Sequence, residues 1–207
     1  MASTTLDHLV IAARTLEAGA RYVEACLGAH LQTGGRHLAQ GTHNLLLALG
    51  EVYLEVIAPD PKATVAPAWF GLADRQLLSS LAQPRLLTWV ARTDDLAALL
   101  AETGYPLTPK AAARGKLCWR FGFSADGGLL ADGLLPYLIE WQSAHPTGVL
   151  PQTGYRLLEL RGAHPDAEAV NGQLQQLGLH HVLRVTPAPR ARFQAYVQCP
   201  DGQVVRL

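Results

Sequence analysis

The 207-residue chain has three cysteines, one methionine and no surplus of either charge. Cys26, Cys118 and Cys199 are odd in number, far apart and free of any CxxC spacing, which excludes a disulfide framework and a thiolate zinc site. Lys and Arg total 17 and Asp and Glu total 17. With no basic excess to neutralise phosphates, nucleic acid is not an expected partner. The apolar runs fall far short of a membrane span. The N-terminus MASTTLDHLVIAA lacks the basic region and long apolar core of a signal peptide. No compact metal motif such as HExxH occurs among the eight histidines. What is present is 49% hydrophobic residues and only 16% charged ones, the composition of a folded chain. Such a chain buries roughly 70% of its unfolded surface without staples. A soluble, cytoplasmic, globular protein is expected.

Punctuation divides the chain. Ala58-Pro-Asp-Pro-Lys is a turn and a strand exit, because proline cannot donate to a ladder. His145-Pro-Thr-Gly, running on to Gly154, is a second break. The blocks between are about 5–60, 84–143 and 154–207. In the first, the apolar strand Leu6–Ala13 precedes Leu16, Ala20, Val23 and Leu27, which share one helical face, and Gly28 stops the helix. Strands are predicted at Leu31–Thr33, Asn44–Leu49 and Val52–Ile57. The second block runs likewise. It has a strand at Leu86–Arg92, a helix through Leu96, Leu99 and Leu100 that stops at Gly104, and strands at Leu107–Lys110, Leu117–Phe123 and Tyr137–Trp141. In the third, Leu157–Arg161 is a strand. Ala167, Val170, Leu174 and Leu177 mark a helix that Gly178 ends, and strands follow at His181–Val185, Phe193–Gln198 and Gln203–Leu207. The helix-stop glycines recur at a nearly constant period, the signature of a strand–helix–three-strand repeat, although βα alternation also arises by chance.

Chemistry must then come from separate strands. Alternate strand residues share a face, so His8 lies with Val10 and Ala12, and Glu55 with Tyr53 and Ile57. Glu140 sits in the apolar strand Tyr137–Trp141. A lone buried carboxylate costs several kcal/mol unless paired or metal-bound, which makes Glu55 and Glu140 the two acids in most need of a reason. The plainer alternatives are a satisfied core histidine and glutamates facing solvent on the wet side of an antiparallel sheet. His43, at a strand entrance, is an acid, base or ligand candidate, or one of a turn-capping set with Thr42 and Asn44; His37 is equally ambiguous. Trp119 with Phe121 and Phe123 is a candidate pocket wall. Cys118 is expected to be a small buried hydrophobe.

The stretch Leu6-Asp7-His8-Leu9-Val10 opening a βαβββ unit, with Glu55 in its last strand, resembles the vicinal oxygen chelate superfamily. Gly34-Gly35-Arg36-His37, Gly41-Thr42-His43-Asn44 and Tyr53 to Pro61 resemble its glyoxalase-like domain branch, as do Leu87 to Arg92 and Pro136 to Trp141. The resemblance covers nearly the whole chain and is weakest in the third block.

The resemblance implies an α+β fold of repeated βαβββ modules whose mixed sheets curl around a cleft. In metal-dependent relatives, four ligands come from the first and last strands of two paired modules. Carried over, these positions hold His8, Glu55 and Glu140, with Thr88 in the fourth. Threonine is a poor ligand beside imidazole and carboxylate. One histidine and two acids would hold Zn, Mn, Fe or Ni loosely, and a metal-free pocket is the alternative. The implied ligand is a small oxygen-rich molecule, touched by Thr88, Trp119 and Tyr53, with Glu55, Glu140 or His43 moving protons. Isomerase, lyase and dioxygenase chemistry all fit such a scaffold; a sequestering protein without turnover is the other class. Glutathione-dependent methylglyoxal isomerisation is not expected, because Thr88 removes a ligand. A homodimer is left open. The third block carries Arg206 where the superfamily pattern has an acid, and is expected to be structural.

Overall fold

Side-chain caps and glycines delimit the helices much as the spacing predicts. In the computed structural model, which describes residues 3–207, strand β1 (Thr4–Ala12) leads to helix α1 (Leu16–Leu27). Thr15 caps α1 by accepting from the Ala18 N–H, and Gly28 closes it in the left-handed region at φ 68°. Strands β2 (Gln32–His37), β3 (Thr42–Leu49) and β4 (Val52–Pro59) follow. A short helix, α2 (Arg75–Ser80), stands between the first two blocks, where the sequence offers no periodic pattern. The second segment contains β5 (Arg85–Thr93), α3 (Leu96–Thr103), β6 (Leu107–Arg114), β7 (Leu117–Ser124) and β8 (Tyr137–Trp141). The third contains β9 (Arg156–His164), α4 (Ala167–Gln176), β10 (Leu183–Pro187), β11 (Arg192–Gln198) and β12 (Val204–Arg206).

The strands form one strongly curled eight-stranded sheet, in the order β2-β3-β4-β1-β5-β8-β7-β6, and a four-stranded sheet, β10-β9-β11-β12. The large sheet is symmetric about its centre. β1 pairs with β4 in parallel and β5 with β8 in parallel, while β1 and β5 run antiparallel at the junction. In the third segment the first strand instead lies between its successors, pairing with β10 in parallel and β11 antiparallel. Its element order matches the other two segments, but its pairing order does not.

One continuous cluster of buried side chains runs from Leu9, Ile11 and Trp89 in the large sheet to Leu160, Val170 and Leu174 in the third segment. Polar contacts tie the same junction. Thr4 donates to the Leu177 carbonyl, and Tyr155 Oη donates to the Leu27 carbonyl at 2.9 Å. Along β7, Trp119 and Phe121 turn inward. Cys118, which precedes Trp119 and so points to the opposite face, is exposed, which corrects the expectation of a buried thiol. No helix among the described residues is long and apolar enough to cross a membrane.

Candidate functional site

Curling of the large sheet brings its two halves face to face around a small cavity of about 40 Å³, room for a few water-sized groups. The first half presents polar side chains: His8 from β1, Asn44 from β3, Tyr53 and Glu55 from β4. The second half presents an apolar wall that includes Trp119, Phe121 and Ile139, with Trp69 closing it from the β4–α2 connection. Trp69 packs edge-on to Phe121 at 4.3 Å between ring centroids.

The polar side is a connected network. The register of β1 on β5 slips between Leu6 and His8, so Asp7 has no partner and forms a bulge. A bulge breaks the alternation of faces, and neighbouring Asp7 and His8 meet side chain to side chain. Asp7 Oδ1 lies 2.6 Å from His8 Nδ1. The other Asp7 oxygen accepts from Trp141 Nε1 and from His145 Nε2, each at 2.9 Å. His8 Nε2 faces Glu55 Oε2 at 3.5 Å, and the His8 ring stacks on Tyr53 with centroids 4.5 Å apart. Asn44 Nδ2 donates to Glu55 Oε1. Arg114, at the end of β6, donates from Nη1 to Asn44 Oδ1 at 2.8 Å and lies 3.3 Å from His37 Nε2.

Ionisation follows from these contacts. Burial by itself would drive the His8 proton off, but hydrogen bonds and charge from Asp7 and Glu55 raise its pKa to about 9. Burial would likewise favour protonated Glu55, yet His8 and Asn44 hold it below the ordinary carboxylate range. Asp7 is driven low by His145 and His8 against the same penalty. His37 goes the other way. Burial, with Arg114 and His8 nearby, depresses it to about 4, so its ring is neutral. At neutral pH the cavity therefore holds a His8 imidazolium beside a Glu55 carboxylate.

Of the residues singled out from sequence, His8, His37, Glu55, Tyr53, Trp119 and Phe121 gather at this cavity, and Phe123 is not among its lining residues. Glu140 does not, which corrects the expected convergence with His8 and Glu55. Ile139 and Trp141 face the cavity, so alternation turns Glu140 to the other face. There it accepts from the Leu96 N–H at 3.0 Å, at the start of α3, and lies 3.6 Å from Arg120. Thr88 is no wall of the cavity; its hydroxyl donates to the Gly133 carbonyl at 3.1 Å. His43 precedes the inward-facing Asn44 and so faces away, its Nε2 buried without a partner among the described residues. Sequence reasoning missed Asp7, Asn44, Arg114 and His145. The acid of Leu6-Asp7-His8, lodged in an apolar strand, was the available signal for the first.

The donor set does not fit a resident divalent metal. Two of the expected ligand atoms, His8 Nε2 and Glu55 Oε2, come together. Glu140 is on the wrong face and the Thr88 hydroxyl is committed. Among the described residues no three His, Cys, Asp or Glu side chains are grouped to hold a metal ion, whereas catalytic zinc sites use three protein ligands. Arg114, hydrogen-bonded to the amide that bonds Glu55, opposes a second cation there.

A curled sheet of two symmetric halves around a cleft is the vicinal oxygen chelate fold. The model of the family described as "Glyoxalase-like domain" matches residues 6–178, and the chain belongs to that family. No curated protein matches the chain. Among solved structures, a hypothetical protein from Staphylococcus aureus is similar over 99% of this chain and 98% of its own, with a TM-score of 0.69 and 12% identity. Methylmalonyl-CoA epimerase from Mycobacterium tuberculosis is similar over 67% of this chain and 87% of its own, with a TM-score of 0.45 and 24% identity. The Streptomyces coelicolor epimerase in complex with 2-nitronate-propionyl-CoA gives 68%, 96%, 0.45 and 17%. The first of these likenesses speaks to fold alone.

Proposed function

We propose that the protein binds a small carbonyl-bearing molecule in the cavity and catalyses proton transfer at the carbon next to the carbonyl. The observation that carries this reading is the His8–Glu55 pair, 3.5 Å apart on the wall of an aromatic-lined cavity. Two groups whose surroundings push their pKa values apart divide into an acid and a base. Glu55 Oε2 takes the proton from carbon. His8 Nε2–H donates to the carbonyl oxygen as charge builds there, so that an enolate is met by a fixed cation in an apolar setting. Asp7 keeps the imidazole charged and oriented through Nδ1. Asn44 occupies Oε1 of Glu55, so Oε2, facing His8 Nε2, is the oxygen that meets the substrate. Return of the proton by Glu55 to the same carbon gives isotope exchange there, and its return to a neighbouring carbon gives an isomer.

Binding without turnover is the second reading, favoured by the dense aromatic wall. One assay separates them. Small 2-oxo acids and hydroxyketones are incubated with the protein in D2O, and loss of the proton next to the carbonyl is followed by NMR. Enzyme-dependent exchange that falls about 100-fold or more in Glu55→Gln, the scale of general-base catalysis, supports proton transfer. Exchange at the uncatalysed rate with every compound, alongside saturable shifts of cavity residues, supports the binder.

A further inference from the structure

We propose that the cavity takes its ligand by a carboxylate group, with Arg114 as the anchoring cation and the indole N–H of Trp69 as an additional donor. This rests on the small-molecule reading above and names the ligand class.

Arg114 crosses from the second half of the sheet to the first. Its path exists because residues 34 and 35 are glycines. A Cβ at Gly34 would lie 2.0 Å from Asn44 Oδ1, and one at Gly35 would lie 2.7 Å from Arg114 Cδ. The glycine pair thus makes room for the guanidinium and its amide support. Both direct partners of Arg114 are uncharged at neutral pH: the Asn44 amide, through Oδ1, and His37 Nε2, whose ring burial keeps neutral. Among the described residues Arg114 makes no ion pair. The buried acids are already provided for. Asp7 is met by His8 and His145, and Glu55 by His8 and Asn44. Arg114 is left as a half-buried cation lining the cavity without a counter-ion, a state that an entering anion relieves.

A second observation points the same way. Trp69 lines the same cavity at 4% exposure, and its Nε1 is buried with no hydrogen-bond partner among the described residues. Buried N–H groups without acceptors are rare and unfavourable, and a ligand oxygen supplies one. A carboxylate suits both donors. It is planar, matches the guanidinium fork and fits a cavity of about 40 Å³. Arg114 and Glu55 are joined through the Asn44 side chain, so a carboxylate on Arg114 brings the carbon beside it toward the acid–base pair.

The test uses isosteric probes, propionate and propionamide, titrated into the full-length ¹⁵N-labelled protein. The Trp69 Nε1–H signal is assigned by its loss in Trp69→Phe. The expected result is that propionate shifts this signal and binds about tenfold or more tightly than the amide, a difference of at least one charge-assisted hydrogen bond. Arg114→Met should equalise the two probes, and Arg114→Lys should keep part of the preference. Equal affinities, a preference that survives in Arg114→Met, or no binding of propionate overturns the proposal. Isotope exchange with neutral hydroxyketones reports on the cavity independently: exchange there with no propionate binding would leave proton transfer standing and remove the carboxylate anchor.

Discussion

Asp7 and His8 are consecutive residues of one strand, yet their side chains meet at 2.6 Å. In a regular strand they would point to opposite faces. The bulge opposite Val90 and Ala91 turns both into the same buried network, and the outcome is an imidazole clamped between two carboxylates, Asp7 and Glu55. The acid–base pair of the cavity is built on that clamp.

Replacing Asp7 tests it. Asp7→Asn keeps the shape but removes the charge that His8 and His145 share. Breaking a buried ion pair by deleting one partner costs about 3–5 kcal/mol. Urea unfolding should show a loss of that size, with an unchanged denaturant slope. A loss below about 1 kcal/mol would mean that the His8 charge is not held by Asp7.

Stability should peak near pH 6.5, and each limb has its own histidine. His8 is raised from 6.5 to about 9 on folding. Its contribution is complete below pH 6.5 and is lost as pH rises through 9. His37 is lowered from 6.5 to about 4. Its contribution is complete above pH 6.5 and is lost as pH falls through 4. Below that, protonation of Asp7 and Glu55 steepens the acid limb. Thermal melts across pH 4–9 are expected to follow this dome, with His8→Gln flattening the alkaline limb and His37→Gln the upper acid limb. A curve with the same alkaline slope in His8→Gln would refute the assignment.

Metal ions should matter little. Protein prepared without chelator and then dialysed against EDTA is expected to melt within about 1 °C of the untreated sample, since a tightly bound ion would raise the midpoint by mass action. Supplying Zn, Mn, Fe or Ni is expected to give no turnover of the glutathione–methylglyoxal adduct. A stoichiometric ion in the purified protein, lost together with several degrees of stability, would show that His8 and Glu55 recruit a third ligand.

The third segment is expected to be inseparable from the rest. Leu174 is fully buried in the common core, so Leu174→Ala should cost about 2–5 kcal/mol. A chain ending near residue 150 should fail to fold. If that truncation gives a cooperative melt, the core divides where the side-chain packing does not.

Much of this architecture is legible from local rules. Apolar spacing and stop glycines locate α1 and α3, because an amphipathic helix must bury one face and end where the chain can turn. Strand alternation puts Glu55 on a face with Tyr53 and Ile57, and the family resemblance pairs it with His8. The same rule leaves Glu140 undecided: alternation separates two faces but does not say which one the sheet curls around, and Ile139 and Trp141 on either side of Glu140 took the cavity side. Asp7 was hidden by the bulge, since period two assigns it away from His8. Arg114 and Asn44 meet across the whole sheet, from opposite halves, and no local pattern encodes that contact. His145 lies beside Pro146 and Gly148, in a stretch that reads as punctuation, yet its ring reaches Asp7.

The pairing of a His8 imidazolium with a Glu55 carboxylate is tested most directly by the ¹⁵N chemical shifts of the His8 ring, followed from pH 5 to 10 in the ligand-free protein. The expected result is that both ring nitrogens stay protonated through pH 7, titrate near 9 and titrate at lower pH in Glu55→Gln. A His8 ring already neutral at pH 7, or one whose titration Glu55→Gln leaves unmoved, would contradict the acid–base pair on which the proposed proton transfer depends.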